Sequence, residues 1–194
     1  MPRHFSTIII STLVLAVAMF LGTGAGKYFG QIEQSKRKEV FSEQDLAKMQ
    51  HLNIGDTLPN HKFEVIGGDS VWLYDLLTEK CVLTVVLPGC EECLYEAQEL
   101  KAAITDSNDA RHFIFATWEN PRTFEDMKND NGLTSPFLYD HKRAFFSNYD
   151  IKTYPFNITL DENGVVLDML SGSMWKDDFR EIIEYNKQSA MKTN

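Results

Sequence analysis

Three observations in the sequence predict an α/β fold. From Ile54 onward, short apolar runs bounded by turn residues alternate with amphipathic stretches long enough to be helices. One run, Cys81 to Leu87, is almost wholly apolar and β-branched, as expected of a central strand covered on both faces. The chain has 194 residues, 43% of them hydrophobic, which is enough to bury one sizeable core but hardly two.

The elements follow in order. Lys62–Ile66 and Ser70–Leu73 flank Gly67-Gly68-Asp69, where glycines supply the positive φ of a tight turn, so this segment predicts a hairpin. Cys81–Leu87 is the central strand, and Pro88-Gly89 ends it. A helix is expected from Glu91 to Thr105, with Leu94, Ala97, Leu100, Lys101 and Ile104 at three- and four-residue spacing. His112–Thr117 reads as a strand, Pro121 opens a helix through Lys128, and Pro136–Tyr139 is again a strand. His141–Tyr149 is expected as a short helix carrying Phe145 and Phe146. Phe156–Leu160 turns at Asp161-Glu162-Asn163-Gly164 into Val165–Leu170. The last helix, Trp175–Tyr185, follows Ser171 and Ser173 as candidate caps and presents Phe179, Ile182 and Ile183 on one side.

Ahead of this domain the composition changes. Residues 1–4 form a short tail, 5–26 a transmembrane anchor or signal peptide, 27–52 a polar stalk, 53–188 the folded domain and 189–194 a C-terminal tail. Phe5 to Gly26 are 22 residues without a charge, and about 20 suffice to span a bilayer. A cleaved signal peptide also fits, because the densest run is only Ile8 to Leu21 and Gly24-Ala25-Gly26 is a small-x-small site. Lys27 and Lys36-Arg37-Lys38 outnumber Arg3, which by charge counting alone would place the domain in the cytoplasm. A short basic N-terminus running straight into an apolar stretch is nevertheless how export signals begin. The expectation is a domain facing outward from the inner (cytoplasmic) membrane, or released into the periplasm after cleavage. In the stalk, Val40, Phe41, Leu46 and Met49 leave a first packed helix as the alternative.

Charge excludes one class of partner. The 19 Lys and Arg against 28 Asp and Glu leave a net charge of −9, with no basic cluster beside aromatics, which argues against nucleic acid. No Ser, His and Asp stand in a nucleophile-elbow context, so hydrolysis has no support. The chemistry concentrates in Cys90-Glu91-Glu92-Cys93, at the junction of a buried strand and a helix. There the N–H groups of the first turn and the helix dipole favour a thiolate at Cys90, the form that attacks disulfides. Cys93, one turn on, is placed to resolve the mixed disulfide. The same spacing could be half a zinc site completed by His141 or His112, or an idle disulfide. Cys81, within an apolar strand, reads as a small core residue. Asn157-Ile158-Thr159 matches a glycosylation sequon but falls on an expected buried strand.

Beyond the Cys pair, an ordered set of segments resembles the TlpA/ResA group of thioredoxin-like, membrane-anchored thiol-disulfide oxidoreductases. The set comprises Ile54-Gly55-Asp56-Thr57-Leu58-Pro59, Leu73-Tyr74-Asp75-Leu76, the Cys pair with Glu96 after it, Pro136-Phe137-Leu138-Tyr139-Asp140, and Tyr154-Pro155-Phe156-Asn157-Ile158-Thr159-Leu160-Asp161-Glu162-Asn163-Gly164. The likeness covers Ile54 to Lys187. It implies a thioredoxin-like fold, a central mixed β-sheet flanked by helices. It also implies that Pro155 is the cis-proline facing the cysteines, that Tyr154 offers backbone groups to an extended substrate, and that Glu96 assists proton transfer. The sequence departs from the group's pattern where Leu87-Pro88-Gly89 replaces the usual Trp, where Gln98 replaces a helix proline, and where the bulky Tyr154 precedes Pro155.

The resulting expectation is an enzyme that reduces disulfides in exported proteins through Cys90 and Cys93, with no cofactor and no bound metal. Apocytochrome c is one substrate the resemblance suggests. Re-reduction then requires a transmembrane thiol electron donor, because a domain outside the cytosol cannot meet cytosolic thioredoxin. Glu91, Glu92, Glu96 and Glu99 set negative charge near Cys90 and work against its thiolate, so the dithiol is expected to be reducing, nearer about −270 mV than about −120 mV. Rival readings are a copper-handling module of the same fold, a peroxidase, which lacks the usual upstream Thr, and a non-catalytic binding domain.

Overall fold

The computed structural model describes residues 52–192 except Thr78 and Asp150. The expected anchor or signal peptide (5–26) and the stalk as far as residue 51 lie outside the described residues. Leu52, the last residue assigned to the stalk, is half-buried against the domain core.

Seven strands form one mixed sheet: β1 (Lys62–Val65), β2 (Ser70–Trp72), β3 (Cys81–Val85), β4 (Phe113–Thr117), β5 (Phe137–Tyr139), β6 (Phe156–Leu160) and β7 (Val166–Ser171). Their order is β2-β1-β5-β4-β3-β6-β7. β3, β4 and β5 run parallel, as long crossovers through helices require, while β1, β2, β6 and β7 pair antiparallel through their neighbours. The helices are α1 (Glu91–Ala103), α2 (Pro121–Asn131) and α3 (Lys176–Lys192). α3 therefore continues past the expected end at Tyr185, into what the sequence reading made a tail.

The apolar run of the central strand has a direct explanation. Cys81, Leu83 and Val85 point into one buried cluster with Ile114, Ala116, Phe145 and Phe146. Val82 and Val86 point into the other, with Phe113, Phe115 and the apolar faces of all three helices. Each face of β3 is covered, so alternation disappears. Cys81 is fully buried in the first cluster, as expected of a core residue.

His141–Tyr149 is a correction. In place of a helix there are turns and a 3-10 segment, Phe146–Asn148. The carboxylate of Asp140, 3% exposed, accepts from the backbone N–H groups of Ala144, Phe145 and Phe146, and Arg143 has φ of +53°. A side chain that takes those donors competes with a helical ladder for them. At the β6–β7 turn, Gly164 has φ of +79°, and a Cβ there would meet the Tyr74 ring at 2.8 Å. Glycine alone fits that approach.

Candidate active site

β3 ends at Val85, and Cys90 stands at the N-cap of α1 with extended backbone, φ −72° and ψ 126°. Its Sγ accepts from the backbone N–H of Cys93 at 3.3 Å. A sulfur in the N-cap position faces donors that the first helical turn leaves without intrahelical partners. Cys90 is half-buried, so a partner can reach it, whereas Cys93 is fully buried one turn inside. The two thiols are not joined in a disulfide. Burial pushes the Cys93 thiol well above its ordinary range, and its hydrogen bond with Cys90 adds to this. Cys93 is thus a proton-bearing thiol that needs a base before it can attack.

Opposite Cys90 the chain enters β6 through a cis Tyr154–Pro155 bond. The Tyr154 carbonyl oxygen lies 3.8 Å from Cys90 Sγ, and Glu92 Oε2 lies at the same distance. Tyr154 is half-buried, its hydroxyl donating to Ile151 O at 2.9 Å, and burial raises that hydroxyl to about 12. Its ring meets Trp118 edge-on at 5.7 Å, and the Arg143 guanidinium stacks 4.6 Å above Trp118.

Glu96 lies three residues beyond Cys93 on the same face of α1 and is 0% exposed. The sequence pattern put Leu94, Lys101 and Ile104 in the apolar stripe. The fully buried face is instead Cys93, Glu96, Ala97, Leu100 and Ala103. Glu96 Oε2 accepts from Asn157 Nδ2 at 3.2 Å and from Met174 N at 3.1 Å, while Oε1 has no partner. Burial pushes its carboxyl up to about 7, even though the hydrogen bonds from Met174 and Asn157 pull the other way.

The sequence reading missed two residues that hold this carboxylate. Thr84 and Asn157 face each other across β3 and β6. The Thr84 hydroxyl donates to Asn157 Oδ1 at 2.7 Å, and Asn157 Nδ2 also donates to Gly172 O at 2.9 Å. The signal was present: Thr84 is a hydroxyl in a strand that is otherwise apolar and buried throughout, Asn157 is an amide beside the apolar Phe156 and Ile158, and a buried amide or hydroxyl needs partners. The five expected site residues therefore converge, with Cys90 and Tyr154 half-buried at the opening and Pro155, Cys93 and Glu96 buried behind them.

The histidines considered as metal partners do not join them. His141 lines a surface cleft of about 280 Å³ with His61, Lys62 and Asp140. His112 lines another of about 210 Å³ with Asp109, Asn186 and Lys187. Among the described residues, no three His, Cys, Asp or Glu side chains gather as a metal-holding group.

Comparison with known proteins fits this geometry. The chain is 26% identical over 137 residues to the thioredoxin-like protein YneN of Bacillus subtilis, covering 67% of this chain and 78% of that protein. Among solved structures, it is similar to the thioredoxin domain of the thiol-disulfide oxidoreductase BVU-2223 from Bacteroides vulgatus, with TM-score 0.57, 18% identity, and coverage of 69% and 97% of the two chains. It is similar also to the peroxidoxin BcpB from Mycobacterium tuberculosis, with TM-score 0.59, 16% identity, and coverage of 70% and 98%. At such identities these structures establish a thioredoxin-like fold shared by oxidoreductases and peroxidoxins, and the choice between the two chemistries rests on the site. The Redoxin family model matches residues 53–183, from the residue after Leu52 into the middle of α3, and the chain belongs to the Redoxin family.

Proposed function

We propose that this protein is a thiol-disulfide oxidoreductase of the cell envelope that reduces disulfides in exported proteins. The observation that carries the reading is Cys90 Sγ, half-exposed at a helix N-cap and 3.8 Å from the Tyr154 carbonyl beside Pro155, with Cys93 and Glu96 buried behind it. The anchor or signal at residues 5–26 supports the location.

The exchange runs in two steps. The Cys90 thiolate attacks one sulfur of the substrate disulfide; a Cys90–substrate bond forms, the substrate S–S bond breaks, and the departing thiolate takes up a proton. Cys93 then loses its proton to the Glu96 carboxylate and attacks Cys90 Sγ. The mixed disulfide breaks, the second substrate thiol leaves with a proton, and Cys90 and Cys93 are joined. Two electrons have passed from the protein to the substrate. A membrane dithiol donor returns them by the same exchange in reverse. The peptide groups around Tyr154 and Pro155 line the place where an extended substrate segment pairs. The acids about Cys90 favour a reducing poise, nearer about −270 mV than about −120 mV.

The full chain is expected to reduce insulin disulfides with dithiothreitol as electron source, and Cys90→Ser to lower that rate by about a thousandfold or more. Cys93→Ser should instead accumulate a mixed disulfide with the substrate. Faster turnover of hydrogen peroxide than of insulin would overturn the reading in favour of a peroxidase.

A further inference from the structure

One surface beside Cys90 carries two aromatic rings that exchange neither electrons nor protons in that chemistry. The segment Gly172 to Trp175 is pinned to both sides of the site. Gly172 N donates to Pro155 O at 3.0 Å, and Ser173 Oγ donates to the Glu92 carbonyl at 3.3 Å, in the first turn of α1. Further bonds fix the start of α3: Trp175 N to Asp178 Oδ2 at 2.7 Å and Lys176 N to Glu99 Oε2 at 2.9 Å. These anchors set the Trp175 ring edge-on to Tyr95, with centroids 5.4 Å apart. Both rings face solvent, Trp175 58% and Tyr95 40% exposed.

Large aromatics on a rigid mount are the common anchors of interfaces. Here acids surround them. Glu91, Glu92 and Asp178 are exposed and Glu99 half-buried, while Asp177 is paired with Arg180 at 3.6 Å. Lys176, whose backbone N–H donates to Glu99, and Arg180 bring positive charge to the same stretch of chain. An aromatic face with an acidic rim selects one side-chain type on two grounds. Lysine or arginine lays its stem and charge over the ring face and meets a carboxylate at its tip.

We propose that the Tyr95–Trp175 pair with Glu91 and Glu92 is the docking surface for the substrate polypeptide, and that it takes a basic segment, with Lys or Arg flanking the disulfide cysteine. This rests on the disulfide-reduction reading and adds to it the sequence class of the substrate.

The test uses the full chain with dithiothreitol and three disulfides. These are hydroxyethyl disulfide and two synthetic cyclic peptides that differ only in carrying Lys or Glu beside the cysteines. The Lys peptide is expected to show kcat/KM about tenfold above the Glu peptide at low salt, falling towards parity as ionic strength rises. Glu91→Gln with Glu92→Gln should reduce the ratio to about twofold or less. Trp175→Ala should raise KM for the Lys peptide about fivefold, with the loss in KM rather than kcat. Equal rates on both peptides, with hydroxyethyl disulfide still reduced, would overturn the docking surface and leave the oxidoreductase standing. A protein that reduces none of the three overturns both.

Discussion

Glu96 and Asp109 both expose almost no surface, 0% and 2%, yet the two ends of the sheet treat these carboxylates in opposite ways. β3 and β4 run parallel. Glu96 sits in α1, after the end of β3, beside the cysteines. Asp109 opens the 3-10 turn Asp109–His112 that leads into β4, at the other pole. Asp109 accepts from Thr105 N, Thr105 Oγ1 and Asp106 N, and Lys187 Nζ lies 2.9 Å away. Burial alone would raise its carboxyl, but Lys187 and those donors outweigh burial and hold it below the ordinary value. Glu96 has two donors on one oxygen, none on the other, and burial wins. Both are closed off from solvent, but Glu96 lies the deeper of the two, and depth and compensation together decide the sign. The pole that holds the cysteines leaves its acid undercompensated, which suits the proton transfer proposed for it at neutral pH.

The two acids therefore impose opposite pH slopes on stability. Glu96, raised from 4.5 to about 7, contributes stability that is complete below 4.5 and is lost as the pH rises through about 7. That loss is about 3 kcal/mol in order of magnitude. Glu96→Gln should abolish the fall between pH 4.5 and 8 in urea-unfolding series, and should also slow disulfide exchange at pH 7 by about 10- to 100-fold. A retained fall would break the contrast at its larger end. Asp109, held low, contributes stability that is present above its ordinary carboxylate value of 3.8 and lost as the pH falls through its depressed value. Asp109→Asn should cost about 2 kcal/mol at neutral pH by stranding its donors, with unchanged insulin-reduction rate. Lys187 is half-exposed. Lys187→Met should cost only about 0.5 kcal/mol, and chemical-denaturation midpoints would resolve it from Asp109→Asn.

Much of the fold could be read before the structure because its signals are local. The Gly67-Gly68-Asp69 turn, the unbroken apolar run of β3 and Pro121 at the start of α2 each act within a few residues. Pro121 is joined there by Asn120, whose side chain accepts from Thr123 N at 3.3 Å. The failure at 141–149 is also local in origin, but it depends on one side chain, Asp140, turning back onto three backbone donors, which a periodicity count does not see. At the site, the adjacency of Cys90, Cys93 and Glu96 along one helix was legible. The burial of Glu96 was not, since its partners Asn157 and Met174 are 61 and 78 residues distant and arrive only when β6 and the β7–α3 loop close over α1. A carboxylate three residues from a cysteine looks, by sequence, like any solvated helix-face acid.

The most direct measurement is a carboxyl-carbon NMR titration of Glu96 in the reduced full chain, assigned through Glu96→Gln. A midpoint at about 7 is the predicted result. A midpoint near the ordinary 4.5 would make the carboxylate too weak a base to draw the proton from the raised Cys93 thiol at neutral pH, which contradicts its role as the acceptor of that proton.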